Sequence, residues 1–399
     1  MKRLLYILLF LVSLPAFGTH NRAGEITYKH ISGFTYEVTV VTYVKESSPA
    51  ERPNLEIFWG DGTSLDSIPR ISSISLGNDI EKNIYKDQHT YPGASPLPYT
   101  ISIEDPNRNS GVINVPNSVN IVFYIETQLY INPFLGVNNS PELLNPPIDN
   151  ACVGKIYVHN PGAYDADGDS LYYSLQASKQ AGGQPIPGYV FPQASSSLTV
   201  NPLTGDLIWE SPNQLGEYNV AILIEEFRGG VKLGSILRDL QITVAACSNN
   251  PPVIIGAQDT CIVVGDTLDM NFNASDVDGN SVAFSATGGP LFSGGASFTT
   301  IAMSSNVDGN LYWTPQCSDI QQGSYLISFK ATDDGTPNLV DFHSLFVKVI
   351  APEPQNVSST VLTNAISVKW DKVGCAQAIY YEIYRRENFS GWTPAYCET

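Results

Sequence analysis

Two short acidic segments carry the clearest chemistry in this chain. Asp165-Ala166-Asp167-Gly168-Asp169 sets three carboxylates at alternate positions around a glycine. Asp276-Val277-Asp278-Gly279-Asn280 repeats the pattern with an amide in the last place. Carboxylates spaced in this way can converge on one hard cation, and Ca2+ takes about six to eight oxygens. Asp165, Asp167 and Asp169 would offer three, with Glu225 or Glu226 completing the shell if the fold brings them near. Asp276, Asp278 and Asn280 form the second set, with Asp333 and Asp334 as distal candidates. The same residues have a second reading. Asp and Asn bond their own backbone in turns and need no ion to do so.

Other chemistry finds little support. An EF-hand is excluded, because its loop wants Gly at the sixth position and Glu at the twelfth, where Ser170 and Gln176 stand. The histidines are His20, His30, His89, His159 and His343; none belongs to His-Glu-x-x-His, and none lies near a Ser or Cys nucleophile signature. Asp61 beside Trp59 is explained by the backbone of a Gly60-Asp61-Gly62 turn rather than as a glycosidase carboxylate. Gly288-Gly289 and Gly294-Gly295 lack the strand–loop–helix setting of a phosphate loop. The sequence is therefore read as that of a non-enzyme.

The elements that must position the acidic loops are strands. Thr35 to Val44, Asn54 to Trp59, Tyr99 to Glu104, Asn120 to Tyr130, Glu217 to Glu225, Ile236 to Val244 and Tyr325 to Thr332 are β-branched, aromatic or alternating. No amphipathic helix of three turns is evident. Landmarks recur at a spacing of roughly 104 to 111 residues: Pro146-Pro147 and Pro251-Pro252, Cys152 and Cys261, the two acidic loops, Trp209 and Trp313, Gly216-Glu217-Tyr218 and Gly323-Ser324-Tyr325. Trp209 and Trp313 are expected in cores. Proline clusters at Asn145-Pro146-Pro147, Asn249-Asn250-Pro251-Pro252 and Ala351-Pro352-Glu353-Pro354 predict short, semi-rigid joints. The fold class expected is all-β, with tandem immunoglobulin-like β-sandwich modules in an extended array.

Composition bounds the setting. Residues 1–18 read as a secretory signal, with Lys2 and Arg3, an apolar stretch from Leu4 to Leu14, and Ala16-Phe17-Gly18 as the cleavage site. No later segment is apolar for long enough to span a membrane. The chain of 399 residues has 39 acidic and 21 basic side chains, a formal charge of −18, which argues against nucleic acid as a partner. Six cysteines suit an exported protein. The repeat favours Cys152–Cys247 and Cys261–Cys317, with Cys247–Cys261 as the rival.

Phe58-Trp59-Gly60-Asp61-Gly62-Thr63, followed by His89-Thr90-Tyr91-Pro92-Gly93 as a strand start, resembles the PKD domain, an immunoglobulin-like sandwich. This implies an enlarged PKD-like unit over 19–145. Residues 146–248 and 249–350 resemble cadherin-like modules of the dystroglycan type, on their Pro-Pro openings, their Asp-x-Asp-Gly loops and their Glu225-Glu226 and Asp333-Asp334 endings. That resemblance implies Ca2+ at the acidic loops, near a domain junction. Ile366-Ser367-Val368-Lys369-Trp370 and Tyr381-Glu382-Ile383-Tyr384-Arg385 resemble the first half of a fibronectin type III domain over 351–399, which implies a natural protein that continues past Thr399. With His20-Asn21-Arg22-Ala23-Gly24-Glu25-Ile26, the whole is similar to surface proteins of gliding Bacteroidota exported by the type IX system. The expectation is a non-catalytic extracellular or outer-surface adhesin or stalk, rigidified by calcium, that contacts surface proteins, glycans or copies of itself. The alternatives are an accessory region of a secreted hydrolase and a carbohydrate-binding module.

Overall fold

The computed structural model describes residues 21–376, together with 381 and 383. The expected signal segment, and most of the second half of the fibronectin-like unit, lie outside the described residues. The chain is all-β and immunoglobulin-like, and its strands form several sheets.

The first unit is an antiparallel run of seven strands. Asn21–Ser32 pairs with Thr35–Lys45, then follow Ile80–Thr90, Asp66–Gly77, Asn54–Phe58, Tyr99–Asp105 and Phe123–Leu129. Alternation puts Leu55, Ile57, Ile101, Ile103 and Ile125 on the inside, around Trp59 and Tyr85. The segments read as PKD-like meet here. Gly60 and Gly62 adopt φ of 81° and 85°, and a Cβ on Gly60 would lie 2.5 Å from Thr100 backbone atoms. Asp61 accepts from the Thr63 N–H at 3.0 Å and lies 2.7 Å from His89 Nε2, while the His89 ring stacks on Trp59 at 4.5 Å. His89-Thr90 closes the strand Ile80–Thr90 instead of starting one.

The two outer strands of this run do not end at solvent. Both pair with one strand from the second unit, Val231–Ala245. Gly24 is opposite Asp239, and Leu129 to Glu126 run opposite Gly234 to Leu237. The far edge of that shared strand pairs with Gly216–Arg228, and its last residues pair in parallel with Ile148–Cys152. Every residue from Leu233 to Ile242 is buried. The units joined at Asn145-Pro146-Pro147, a joint expected to be short and semi-rigid, are tied by more than that joint: the first unit is closed by hydrogen bonds to a strand of the second.

Burying both faces of this strand requires partners for its charges. Arg108 holds Asp239 with two hydrogen bonds, at 2.9 and 2.8 Å. Arg238 pairs with Glu25 at 2.8 Å and donates to the carbonyls of Asn145 and Pro161. Asn219 and Gln241 complete the network, with Asn219 donating to Asp239 at 3.0 Å and Gln241 to Asn109 at 2.7 Å. Breaking one member of a buried pair leaves a charge without water or partner, which costs about 3–5 kcal/mol.

The second and third units share a plan. In the second, Ser170–Gln176, Gly216–Arg228 and Val231–Ala245 face Tyr157–His159, Leu207–Trp209 and Leu198–Val200 across Trp209, Ile222 and Leu240. In the third, Val253–Ile255, Leu268–Ser275, Asn306–Trp313 and Ala296–Thr300 face Thr260–Val263, Val340–Ile350, Tyr325–Asp333 and Val282–Gly288. Its core is aromatic, with Phe272 and Phe329 stacked at 3.9 Å beside Trp313. Trp209 and Trp313 are fully buried. The repeat also corrects the joint. Glu142–Leu143 pairs with Ala163–Tyr164 as Val253–Ile255 pairs with the end of Leu268–Ser275. The counterpart of Asn249-Asn250-Pro251-Pro252 is therefore Asn138-Asn139-Ser140-Pro141, ahead of Asn145-Pro146-Pro147.

Cys152–Cys247 forms as the repeat suggests, with 5.8 Å between Cα atoms. Cys261–Cys317 does not: Cys317 bonds Cys375, because the turn Cys317–Asp319 meets the segment leading out of the hairpin Gln355–Val361 and Ile366–Asp371. Cys261 is disulfide-bonded as well.

The second and third units also touch. Asp149 accepts from His159 Nδ1 at 2.6 Å and from Lys330 at 3.4 Å, and Asn150 donates to Asn338 at 2.9 Å. Burial raises the Asp149 carboxyl, but Lys330 and His159 outweigh it and leave it below the usual carboxylate range. Burial also holds His159 below the ordinary histidine value, against the pull of Asp149. Both shifts have one sign. The folded state binds fewer protons than the unfolded state, so stability is present at neutral pH and falls as pH drops below the ordinary histidine value of about 6.5.

Two outcomes are expected. The His159 contribution is read as a difference: the stability of the parent relative to His159→Gln should fall as pH drops below about 6.5, in denaturation curves taken at a series of pH values. Arg108→Leu should lower unfolding free energy by about 3–5 kcal/mol in chemical denaturation, and Arg108→Leu combined with Asp239→Leu should recover most of it.

Candidate cation site

The two acidic loops fold alike. Asp165 Oδ1 accepts from the N–H groups of Asp167 and Asp169, at 2.9 and 3.0 Å. Asp276 Oδ1 accepts from those of Asp278 and Asn280 at the same distances, 2.9 and 3.0 Å. Gly168 and Gly279 take φ of 80° and 86°, the left-handed turn that lets the chain wrap the carboxylate. The turn reading and the cation reading are thus both served by one residue: Oδ1 of the first Asp ties the loop, and Oδ2 is left over.

The middle carboxylates are committed elsewhere. Asp167 accepts from the backbone N–H of Asn139 at 2.7 Å and from its amide at 2.9 and 3.1 Å. Asp278 accepts from Asn250 in the same way, at 2.6, 2.9 and 3.0 Å. Each joint is therefore clamped to the loop that follows it. The Asn-Asn-x-Pro signal for this clamp stands in the sequence at 138–141 and 249–252, and the proline pairs obscured it.

Strand register decides the distal ligands. Glu226 lies opposite Leu171 and Asp333 opposite Val282, so each points back to its own loop. Their neighbours point away: Glu225 pairs with Lys232 at 2.7 Å, and Asp334 accepts from the Ser281 N–H at 2.8 Å. The candidate ligands of the second unit are then Asp165, Asp169 and Glu226, each with a carboxylate oxygen within 4.8 Å of the others.

Here the two loops part. In the third unit Asn249 takes up the slack. It donates to Asp333 Oδ2 at 3.0 Å and accepts from Asn280 at 2.6 Å, while Asp333 Oδ1 accepts from Gly335 and Leu339 at 2.9 and 3.0 Å. One buried oxygen, Asp276 Oδ2, is left without a partner there. In the second unit both oxygens of Glu226 and Oδ2 of Asp165 are buried with no partner at hydrogen-bond geometry, although the Asn138 amide stands near enough to Glu226 to work against the rise of its carboxyl. Arg228 neutralises Asp169 through two hydrogen bonds at 2.7 and 2.6 Å and also reaches the carbonyls of Leu135 and Val137, tying the joint down. No cation faces Glu226 within hydrogen-bonding range among the described residues.

The electrostatics follow. Burial, with Asp165 and Asp169 adding repulsion, pushes the Glu226 carboxyl up to about 10. Burial, with Asp169 and Asp167 adding repulsion, pushes Asp165 up to about 7. Backbone N–H bonds from the loop work against the rise at Asp165. Three orphaned carboxylate oxygens in a dry, negative pocket fit a hard divalent cation, which supplies the charge that the chain does not. Gly234 of the shared strand makes room, since a Cβ there would lie 2.4 Å from the Tyr28 hydroxyl and 3.1 Å from Glu226 Oε2. The site is thus built from the first unit, the joint and the second unit together.

No protein-family model matches the chain. No curated protein matches it in sequence. Solved structures that it is similar to include tandem Ig repeats of Dlar, 13% identical over 53% of this chain and 99% of that one, with a TM-score of 0.23. The sialic acid binding region of a Streptococcus sanguinis adhesin is 11% identical over 56% and 82%, with a TM-score of 0.22. A nucleoside hydrolase-related protein from Saccharophagus degradans is 22% identical over 26% of each chain, with a TM-score of 0.20. The immunoglobulin-like assignment rests on the strand pairing described above.

Glu226→Gln tests the local electrostatics without any ion. In chelator the variant should be more stable than the parent by about 1–3 kcal/mol at neutral pH, because the folded parent must hold a proton that its unfolded chain releases. The gap should widen as pH rises above the ordinary glutamate value of about 4.3, read from denaturation curves at a series of pH values.

Proposed function

We propose that this chain is a non-catalytic, secreted or cell-surface adhesin or stalk in which Ca2+, held by Asp165, Asp169 and Glu226, locks the first two units into one stiff body. The observation that carries this reading is the set of three buried, unpartnered carboxylate oxygens where the joint meets the second unit. Bound there, the ion would neutralise Glu226 and Asp165 and fix the joint through Asp169, Arg228 and the carbonyls of Leu135 and Val137. The resemblances to PKD, cadherin-like and fibronectin modules, and to surface proteins of gliding Bacteroidota, support the surface role. The disulfides are compatible with an extracellular setting. No described helix is long and apolar enough to cross a membrane. Partners on this reading are surface proteins, glycans or further copies of the chain.

Calorimetry with millimolar CaCl2 against chelator tests the reading. Binding to the folded state alone should raise Tm, by an amount equivalent to about 1–3 kcal/mol for a site of submillimolar affinity. Glu226→Gln should remove the response, and Asp276→Asn should keep it, since in the third unit Asn249 already occupies Asp333 and Asn280. Superimposable melts of the parent with and without chelator would overturn the proposal.

A further inference from the structure

We infer that the seam between the second and third units is an acid-released joint: closed at neutral pH, it lets the third unit swing away from the second in mild acid. The trigger is His159, which stands apart from the cation site.

The seam is built from one strand of the second unit and one sheet face of the third. Tyr157–His159 packs on Val340–Ile350. Lys330, Phe342 and Ser344 share the face that meets the second unit. His159 is fully buried there and meets Phe342 edge to face, with ring centroids 6.0 Å apart. The next residue, Asn160, donates to Asp206 at 2.7 Å and to Ser344 at 3.4 Å, and Ser344 donates to Asp206 at 3.3 Å.

The ring has no place for a second proton while the seam is closed. A carboxylate only accepts, so the 2.6 Å bond to Asp149 puts a proton on His159 Nδ1. A further proton must go to Nε2, which is buried with no acceptor at hydrogen-bond geometry among the described residues. Of the charges around the ring, Asp149 favours that proton, and Arg238 and Lys330 oppose it. Tyr157 stays neutral, since burial raises its hydroxyl. Asp206 is engaged by Asn160 and Ser344. Asp341 and His343 of the facing strand turn to the other side, where Asp341 accepts from the Ile254 N–H at 2.9 Å and His343 Nε2 lies 3.0 Å from the Ala257 carbonyl. Water is the remaining acceptor, and Phe342 covers the ring. Parting the seam admits it.

The sign follows. In the closed seam, burial holds His159 below its ordinary value of about 6.5. Opening returns the ring toward that value. The open form therefore binds the extra proton and gains population as pH falls below about 6.5.

The rest of the seam can yield, and the chain supplies a pivot. Asn150–Asn338, Lys155–Asn250, Asp149–Lys330 and Asp206–Ser344 are polar contacts that exchange for water at small net cost. Cys152–Cys247 pins the linker to the second unit. Asn249 and Asn250 pin it to the third, through Asp333 and Asp278. Ser248 lies between these two anchors, so the swing turns about one short stretch while each unit keeps its own fold.

Small-angle scattering of the whole chain in chelator, from about pH 7.5 to about pH 4.5, tests the joint, with circular dichroism on the same samples. The maximum dimension should rise as pH falls below about 6.5, the open-to-closed ratio growing by up to about tenfold per pH unit, with the strand signal unchanged. His159→Gln cannot take the proton and should hold the neutral-pH dimension across that range. Histidine NMR on the parent reads the trigger without any variant: the His159 ring should titrate below its ordinary value and over the same pH span as the dimension. The inference fails if the dimension stays constant while the ring titrates, if it grows equally in His159→Gln, or if it grows only together with loss of the strand signal.

Discussion

The architecture depends on one strand. Val231–Ala245 is buried on both faces from Leu233 to Ile242 and is hydrogen-bonded along both edges. It terminates the sheet of the second unit and closes the sheet of the first. Closure of this kind removes two open edges at once, which would otherwise be free to pair with other chains. The strand can be buried because its central charges, Arg238 and Asp239, meet Glu25 and Arg108 from the first unit. A buried pair of this type adds little net stability over apolar residues, but it penalises any other register heavily. Its role is to specify how two units dock.

The candidate cation site is a consequence of that docking. Glu226 lies on the strand beside the shared one, Gly234 on the shared strand leaves space above it, and the joint 138–139 is drawn over the loop. A site assembled from three segments reports on their arrangement. The third unit keeps the same loop and the same Asn clamp, yet closes the pocket with Asn249 and Asn280. Two copies of one motif thus arrive at different chemistry through two exchanges, Asp169 for Asn280 and Glu226 for Asp333, and through what the joint asparagine meets: Tyr28 and Arg228 at Asn138, Asp333 and Asn280 at Asn249.

Much of this was legible in the sequence. The repeat, the buried tryptophans, the Cys152–Cys247 bond and the acidic loops all follow from residue type and spacing. The sharing of a strand was not. Arg238-Asp239 in mid-strand reads as a solvent-facing pair, and its partners lie more than a hundred residues away. Asp66–Gly77 is rich in serine and mostly exposed, so it lacks the apolar alternation that marks a strand. The choice of Glu226 over Glu225 depends on register, which a pair of adjacent glutamates cannot reveal. The joint was misplaced because two Pro-Pro pairs resemble each other more strongly than two Asn-Asn pairs do.

Hydrogen exchange on the intact chain tests the docking most directly. If Val231–Ala245 belongs equally to both units, the amides of Asn21–Ser32, Phe123–Leu129 and Val231–Ala245 should share the highest protection and open together in one cooperative event. Persistent protection of Val231–Ala245 while Asn21–Ser32 and Phe123–Leu129 exchange freely would contradict a shared strand, because the first unit would then fold and open on its own terms.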